Sequence, residues 1–417
     1  MEVKPGYKQT EVGVIPEDWV VKRIGDFEPF VTSGSRGWAA YYSERGAPFI
    51  RITNLSRESI YLDLEDLRLV NLPQDTSESI RTQLQDNDVL ISITADIGII
   101  GYVSEDVPKP AYINQHIALV RFDSSNTDSK FVSYFLASAK PQKLFRALTD
   151  SGAKAGMSLL TVHKIHLALP PTKAEQTAIA QVLSDADELI TALEKLIAKK
   201  RNIKQGAMQQ FLTGKKRLPG FSGKWEAKKL GEVCELENGY AFKSNTYNDN
   251  GEYLIITIAN VQDGRMDILE CSRISELPKD IQAHQILYYG DLLISMTGNV
   301  GRICRVNANN TLLNQRVGKL IPIDIDIDFF FYLLNDRKFL NKMIVNAQGG
   351  AQGNIGKGDI LEYKAYIPKD KSEQTAIAEV LSDMDAEITA LETKLEKYKM
   401  IKEGMMQELL TGKKRLI

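Results

Sequence analysis

Two stretches of the chain carry the same rhythm of apolar positions. Ile179, Leu183, Ala186, Ile190, Leu193 and Ile197 step by four and three residues, and so do Ile377, Leu381, Met384, Ile388, Leu391, Leu395 and Tyr398. Charged residues such as Glu194, Lys199 and Lys204 flank the stripe, which is the pattern of a helix that meets another helix along a coiled-coil seam. No proline lies between Lys173 and Thr213 or between Ser372 and Thr411, and each stretch ends at Thr-Gly, where glycine can close a helix. Each is predicted to be a helix of about 40 residues, roughly 60 Å long. Lys200 interrupts the first seam where the second has Tyr398, a mismatch able to set register at some cost in stability.

The two stretches are copies. The run EQTAIAQVLSDADELITALEKLIAKKRNIKQGAMQQFLTGKKRL from Glu175 returns from Glu373 as EQTAIAEVLSDMDAEITALETKLEKYKMIKEGMMQELLTGKKRL. Roughly two-thirds of the positions match without a gap, which marks a duplicated element. The segments before each helix repeat more weakly but in the same order. Trp19 to Asp26 parallels Trp225 to Glu232, Ile50 to Leu55 parallels Ile256 to Val261, and Asp88 to Thr94 parallels Asp291 to Thr297. Asn114-Gln115 returns as Asn314-Gln315, and Phe131 to Tyr134 as Phe329 to Tyr332. The short β-branched runs read as strands and the segment from Lys130 as a helix interrupted at Pro141. The chain is therefore expected to be α+β: a mixed α/β head, a long helix, a second such head and a second long helix.

Antiparallel pairing of the helices would bring the second back toward the chain's start. The N-terminal run Ile15-Pro16-Glu17-Asp18-Trp19 resembles the approach from Leu218-Pro219-Gly220 to Trp225, as if the chain were circular and opened there. The expectation is a pseudo-twofold molecule with two similar but unequal heads. Such heads suit a ligand with two separated sites. DNA half-sites lie about 34–36 Å apart per helical turn, so a ~60 Å rod spans one to two turns. Unequal heads imply a bipartite, asymmetric target with an uncontacted spacer.

Composition adds exclusions. Of the 417 residues 43% are hydrophobic and 25% charged, as in a soluble globular protein of two or more domains. No apolar run is long enough to span a bilayer, and the start MEVKPGY lacks the apolar core of a secretory signal, so a cytoplasmic protein is expected. Cys234, Cys271 and Cys304 are odd in number and widely spaced, which fits a reducing compartment and no zinc ribbon. The net charge of −2 is not that of a strongly basic nucleic-acid binder, and predicts weak DNA binding without partners.

The EQTAIA…LTGKKRL helices, the run from Thr10 to Trp19 and the segment Asn238 to Lys243 resemble the specificity subunit of type I restriction-modification enzymes. The resemblance covers essentially the whole chain. It implies target-recognition domains at 1–172 and 215–370 and spacer helices at 173–214 and 371–417 that form an antiparallel coiled coil. It also implies double-stranded DNA as ligand, two modification (methyltransferase) subunits docked on the helices, and restriction subunits recruited through the complex. The methyl donor S-adenosylmethionine and ATP would serve those partners, leaving this chain without catalytic residues, cofactor or metal.

The residues agree with that division. The one Pro-Pro, Pro170-Pro171, lacks the Asn/Asp-Pro-Pro-aromatic setting of an adenine methyltransferase. The run from Gly349 to Gly358 fails as a phosphate loop because Ala351 and Gly358 stand where glycine and Ser/Thr are needed. Glu-x-Lys occurs at Glu226, Glu362 and Glu392 without the preceding Pro-Asp of nucleases. His163 and His166 have no evident third ligand.

Positions identical in both heads cannot by themselves distinguish two half-sites. Ser92/Ser295, Thr94/Thr297, Gly98/Gly301 and the Asn-Gln pairs are thus expected to be scaffold first and phosphate contacts second. Base readers should lie in loops that diverge, Thr32 to Tyr42 against Asn238 to Asn250, and Ser151 to Ser158 against Gln348 to Gly358. Arg36 suits a bidentate contact to guanine, while Lys154, Lys243 and Lys357 suit phosphate. The candidate DNA-contacting set is Ser35, Arg36, Trp38, Arg51, Ser92, Thr94, Lys154, Tyr240, Lys243, Asn260, Ser295, Thr297, Gln352 and Lys357, with Trp38 equally readable as core. The basic runs from Lys215 and Lys413 are expected to serve partner docking or the helix dipole. The rival reading is a coiled-coil scaffold whose heads bind proteins or glycans.

Overall fold

The computed structural model describes residues 4–73, 76–150, 156–348 and 353–416. The two periodic stretches form helices Lys173–Phe211 and Lys371–Leu409, each of 39 residues. Contacts divide the chain into two compact units: Met1–Lys195 with Thr393–Ile417, and Leu196–Glu392. The division cuts both long helices, so each unit joins one head to a part of each helix.

Each head holds two four-stranded sheets, of which one repeats strand for strand and the other differs in its edge strands. The larger sheet of the first unit has the order Phe30–Ser33, Ile117–Arg121, Val89–Ser92, Ile100–Tyr102, antiparallel throughout. The second unit repeats it with Cys234–Asn238, Val317–Pro322, Leu292–Ser295 and Ile303–Arg305. The strand Val89–Ser92 is buried at every residue. One of its faces packs on the helix Ser129–Ala137 through Val89 and Ile91, and Leu90 packs into a second core with Ile50, Ile113 and Leu119. Burial on both sides explains its uninterrupted apolar run. The smaller sheet contains a parallel strand pair, Ala47–Ile50 beside Tyr112–Ile113, repeated by Tyr253–Ile256 beside Thr311–Leu313.

The helix from Lys130 does break, but at Ser138, whose ψ of 162 is extended, and not at Pro141. A second helix, Ala139–Asp150, takes Pro141 into its first turn, where the missing N–H would have had no intrahelical partner.

The duplicated Glu-Gln-Thr run is explained by a clasp between head and helix. In the first unit Asp128 caps the helix Ser129–Ala137, accepting from Phe131 N at 2.9 Å. Its other carboxylate oxygen accepts from Thr177 Oγ1 at 2.8 Å, and its own N–H donates to Gln176 Oε1 at 2.9 Å. Asp326 makes the same three bonds to Phe329, Thr375 and Gln374 in the second unit. Farther along, the Tyr134 hydroxyl donates to Asp187 at 2.7 Å while Lys402 pairs with the other Asp187 oxygen at 2.5 Å. Burial, and then the Asp187 carboxylate, raise the Tyr134 pKa far above its ordinary value, so the hydroxyl stays a donor. Tyr332, Asp385 and Lys204 repeat the arrangement.

Pairs within each unit run in opposite directions along the two helices. Glu194 meets Lys399 where Asp187 meets Lys402 and Glu175 meets Arg415, so the segments are antiparallel. In the second unit Lys204 meets Asp385, and Lys200 meets Glu387 at 2.6 Å. The seam-breaking Lys200 is thus answered by a carboxylate.

The basic runs after the helices divide their labour. Lys215 and Lys216 are exposed, whereas Arg217 forms a two-nitrogen fork on Glu373, which is 1% exposed in its side chain. Arg415 grips Glu175 in the same way and also reaches Asp18 at 3.0 Å. Gly412 sits against Pro16 and Trp19 as Gly214 sits against Trp225, so each head is approached through an equivalent corner.

No helix among the described residues is long and apolar enough to cross a membrane, and no cluster of three His, Cys, Asp or Glu side chains there is placed to hold a metal. The three cysteines are free; burial pushes the thiols of Cys234 and Cys304 up to about 12 and that of Cys271 to about 11.

Candidate nucleic-acid interface

The two divergent segments of each head converge on one turn. In the first head Gly34 leaves the larger sheet so close to the next chain segment that a Cβ would lie 2.1 Å from the Asn114 carbonyl carbon. Ser35 then bridges Asn114 in parallel. On the other side of the turn, Ile93 N donates to His116 O at 2.9 Å, and Met157 N, at the end of the second divergent segment, donates to Ile93 O at 2.7 Å. The second head does the same with Gly239, Asn314, Met296, Arg316 and Ile355. The repeated Asn-Gln pair is thus the hub of this face. The Asn114 side chain accepts from His116 N and that of Asn314 from Arg316 N, which closes an Asx turn at each site.

Several candidates are buried in the framework of the heads. Ser92 is fully buried; its Oγ donates to Asp96 O at 2.5 Å and accepts from Ile99 N at 2.7 Å, closing a turn around Gly98. Ser295 makes the matching bonds to Asn299 and Arg302. Asn260 is buried, accepting from Thr257 N at 2.9 Å and donating to Asp267 O at 2.9 Å, the role that Asn54 has in the first head. Trp38 is 5% exposed and packs its ring on Phe49 and Tyr112, each 5.8 Å away between centroids. Ser35 is also buried and accepts from Arg81 Nη2 at 2.8 Å. Burial takes these five side chains away from any DNA surface. Ser92→Ala and Ser295→Ala are accordingly expected to cost about 1–3 kcal/mol each, from two stranded backbone groups, without altering sequence preference. Thermal melting against the methylation motif checks this; an altered motif with unchanged melting would refute the scaffold role.

Other candidates lie at the surface. Arg36, Lys243 and Lys357 are exposed, the last at the start of the short helix Lys357–Leu361. Thr94 is half-buried, with Oγ1 2.5 Å from His116 Nδ1, and Thr297 bridges Asn354. Tyr240 donates to Asp280 at 2.7 Å, packs on Phe242 at 4.9 Å, and with Lys243 lines a cavity of about 440 Å³. Arg51 is half-buried and turned onto Asp66, 3.5 Å away. Lys154 and Gln352 lie outside the described residues.

Two pairs of residues at this face escaped the sequence reading. His116 and Arg316 directly follow the repeated Asn-Gln, differ between the heads, and are respectively half-buried and exposed. Their place beside a repeated motif was the available signal. Arg81 and His284 carried none, because the segments around them share no sequence pattern.

The relatives agree with this architecture. The family model for the type I restriction modification DNA specificity domain matches twice, over residues 16–205 and 222–399. The chain belongs to this family. Among its relatives are the type I restriction enzyme MjaVIII specificity subunit and the putative MjaX specificity subunit, both of Methanocaldococcus jannaschii and both 25% identical. The first alignment covers 96% of this chain and 94% of the relative, the second 98% and 97%. In fold, the specificity family is represented by the S subunit of a type I restriction-modification system from M. genitalium, with a TM-score of 0.62 at 16% identity over 98% of both chains.

Proposed function

We propose that this chain is the non-catalytic DNA-recognition subunit of a type I restriction-modification enzyme, directing it to a bipartite, asymmetric target. The observation that carries the proposal is internal. Two copies of one head share their buried turn-makers yet differ in the exposed residues around the hub. Each head reads one half-site of double-stranded DNA, and the unequal exposed residues make the half-sites unequal. Arg36 and Arg316 offer guanidinium forks suited to guanine, and Lys243 and Lys357 offer point charges suited to phosphate. The long helices dock two modification subunits, and restriction subunits join through that complex. Adenine methylation and ATP-dependent cleavage belong to those partners.

Methylome sequencing of a host expressing this chain with its modification subunit tests the proposal. A gapped, asymmetric adenine motif is the expected result. A continuous palindrome would overturn the two-head reading, and methylation by the chain alone would overturn the non-catalytic one.

A further inference from the structure

The carbonyl just before the hub glycine is held in both heads by a side chain from a short helical turn on a distant part of the sequence. In the first head, Arg81 on the helix Ser77–Thr82 donates through Nη1 to Ser33 O and, at 2.7 Å, to Thr32 Oγ1, while Nη2 reaches Ser35 Oγ at 2.8 Å. In the second head, His284 on the turn Ala283–Gln285 places Nε2 3.2 Å from Asn238 O. A carbonyl can only accept, so Nε2 carries the proton. Glu237 lies 3.8 Å from the same nitrogen.

Strand register shows that the two positions correspond. Gln83 faces Tyr112, two residues before Asn114, and Ile286 faces Leu312, two residues before Asn314. Arg81 and His284 each stand two residues ahead of that facing residue, and Ser33 and Asn238 each immediately precede the crowded glycine. The two heads thus reach the same carbonyl with chemically different groups. Arg81 spans the turn at three acceptors, whereas His284 holds a single one.

We propose that Arg81 and His284 are positioning residues that fix the angle at which the divergent first loop leaves the sheet, and so tune the selectivity of their own head for its half-site. The inference rests on the proposed reading that this loop contacts DNA. Side-chain anchors matter here because they hold the carbonyl on the sheet side of the crowded glycine, and a loop displaced by about 1 Å loses directional hydrogen bonds to base edges. The anchor in the first head is a fork that lysine cannot reproduce, while that in the second is one donor at the reach of Nε2, which glutamine can supply.

The test uses the chain assembled with its modification subunit, and duplexes carrying the methylome motif or single-base changes in one half. Arg81→Ala is expected to reduce discrimination at the first half-site at least tenfold and leave the second unchanged; His284→Ala should do the reverse. His284→Gln should restore most of the discrimination, and Arg81→Lys only part. Amide hydrogen exchange on the full chain gives a second readout without DNA. Arg81→Ala should speed exchange of residues 36–42 at least tenfold and spare 239–250. Equal loss at both half-sites, or unchanged exchange, overturns the anchor itself. Faster exchange with unchanged discrimination overturns instead the reading of the loop as a DNA contact, and the tuning role with it.

Discussion

Arg217→Ala is expected to destabilise the second unit by about 3–5 kcal/mol, because it leaves Glu373 buried without a counter-charge. The Glu373 side chain is 1% exposed and both of its oxygens are taken by the Arg217 fork, so truncation strands a carboxylate that has no other ion-pair partner among the described residues. For a unit of this size the melting temperature should fall by about 10 °C. Glu373→Gln in the same chain should recover most of the loss, since it removes the stranded charge rather than restoring the pair. If the double variant melts no higher than Arg217→Ala alone, the unpaired-charge account fails. The equivalent Arg415→Ala in the first unit strands Glu175 similarly, with the half-exposed Asp18 adding a second, water-screened repulsion.

The other large effect should come from the hub glycines. Gly34→Ala or Gly239→Ala drives a methyl group to within about 2 Å of backbone atoms of Asn114 or Asn314. No rotamer relieves that contact, since what must move is the chain itself. The cost should reach about 3 kcal/mol, the upper end of ordinary overpacking. It should also be confined to one head: Gly34→Ala abolishes recognition of the first half-site, Gly239→Ala of the second. Melting combined with methylation of duplexes altered in one half would check it. Full recognition by either variant would show that the divergent loop does not depend on this close approach.

How much of this could be read from the sequence depended on whether the controlling contacts were local. The long helices were legible because their apolar periodicity is sustained over about five turns and appears twice. The clasp at Asp128 was half legible, since the Glu-Gln-Thr run repeats but its partner lies almost fifty residues away. The burial of Ser92 was foreshadowed because identical residues in unequal heads have a structural explanation, whereas the sequence left Trp38 readable as core or as contact, and the structure packs its ring on Phe49. Arg81 and His284 were illegible. Strand pairing brings them to one place, but around them the chain reads Ile-Arg-Thr-Gln in one head and Ala-His-Gln-Ile in the other. The Arg217 and Arg415 forks were not legible within the runs assigned to partner docking or the helix dipole, because a run of three cations gives no hint that its last member faces inward.

The division of each long helix between the two units bears on how such a chain can change over generations. A substitution at Asp187 must suit Lys402, and one at Lys204 must suit Asp385, so a single helix copy answers to partners in both units. Drift in either copy is checked by the other, and the pair is held near a common ancestor. The exposed residues Arg36, Lys243 and Arg316 lie outside these helix pairs, so a change at any of them leaves the charge partners of the long helices in place.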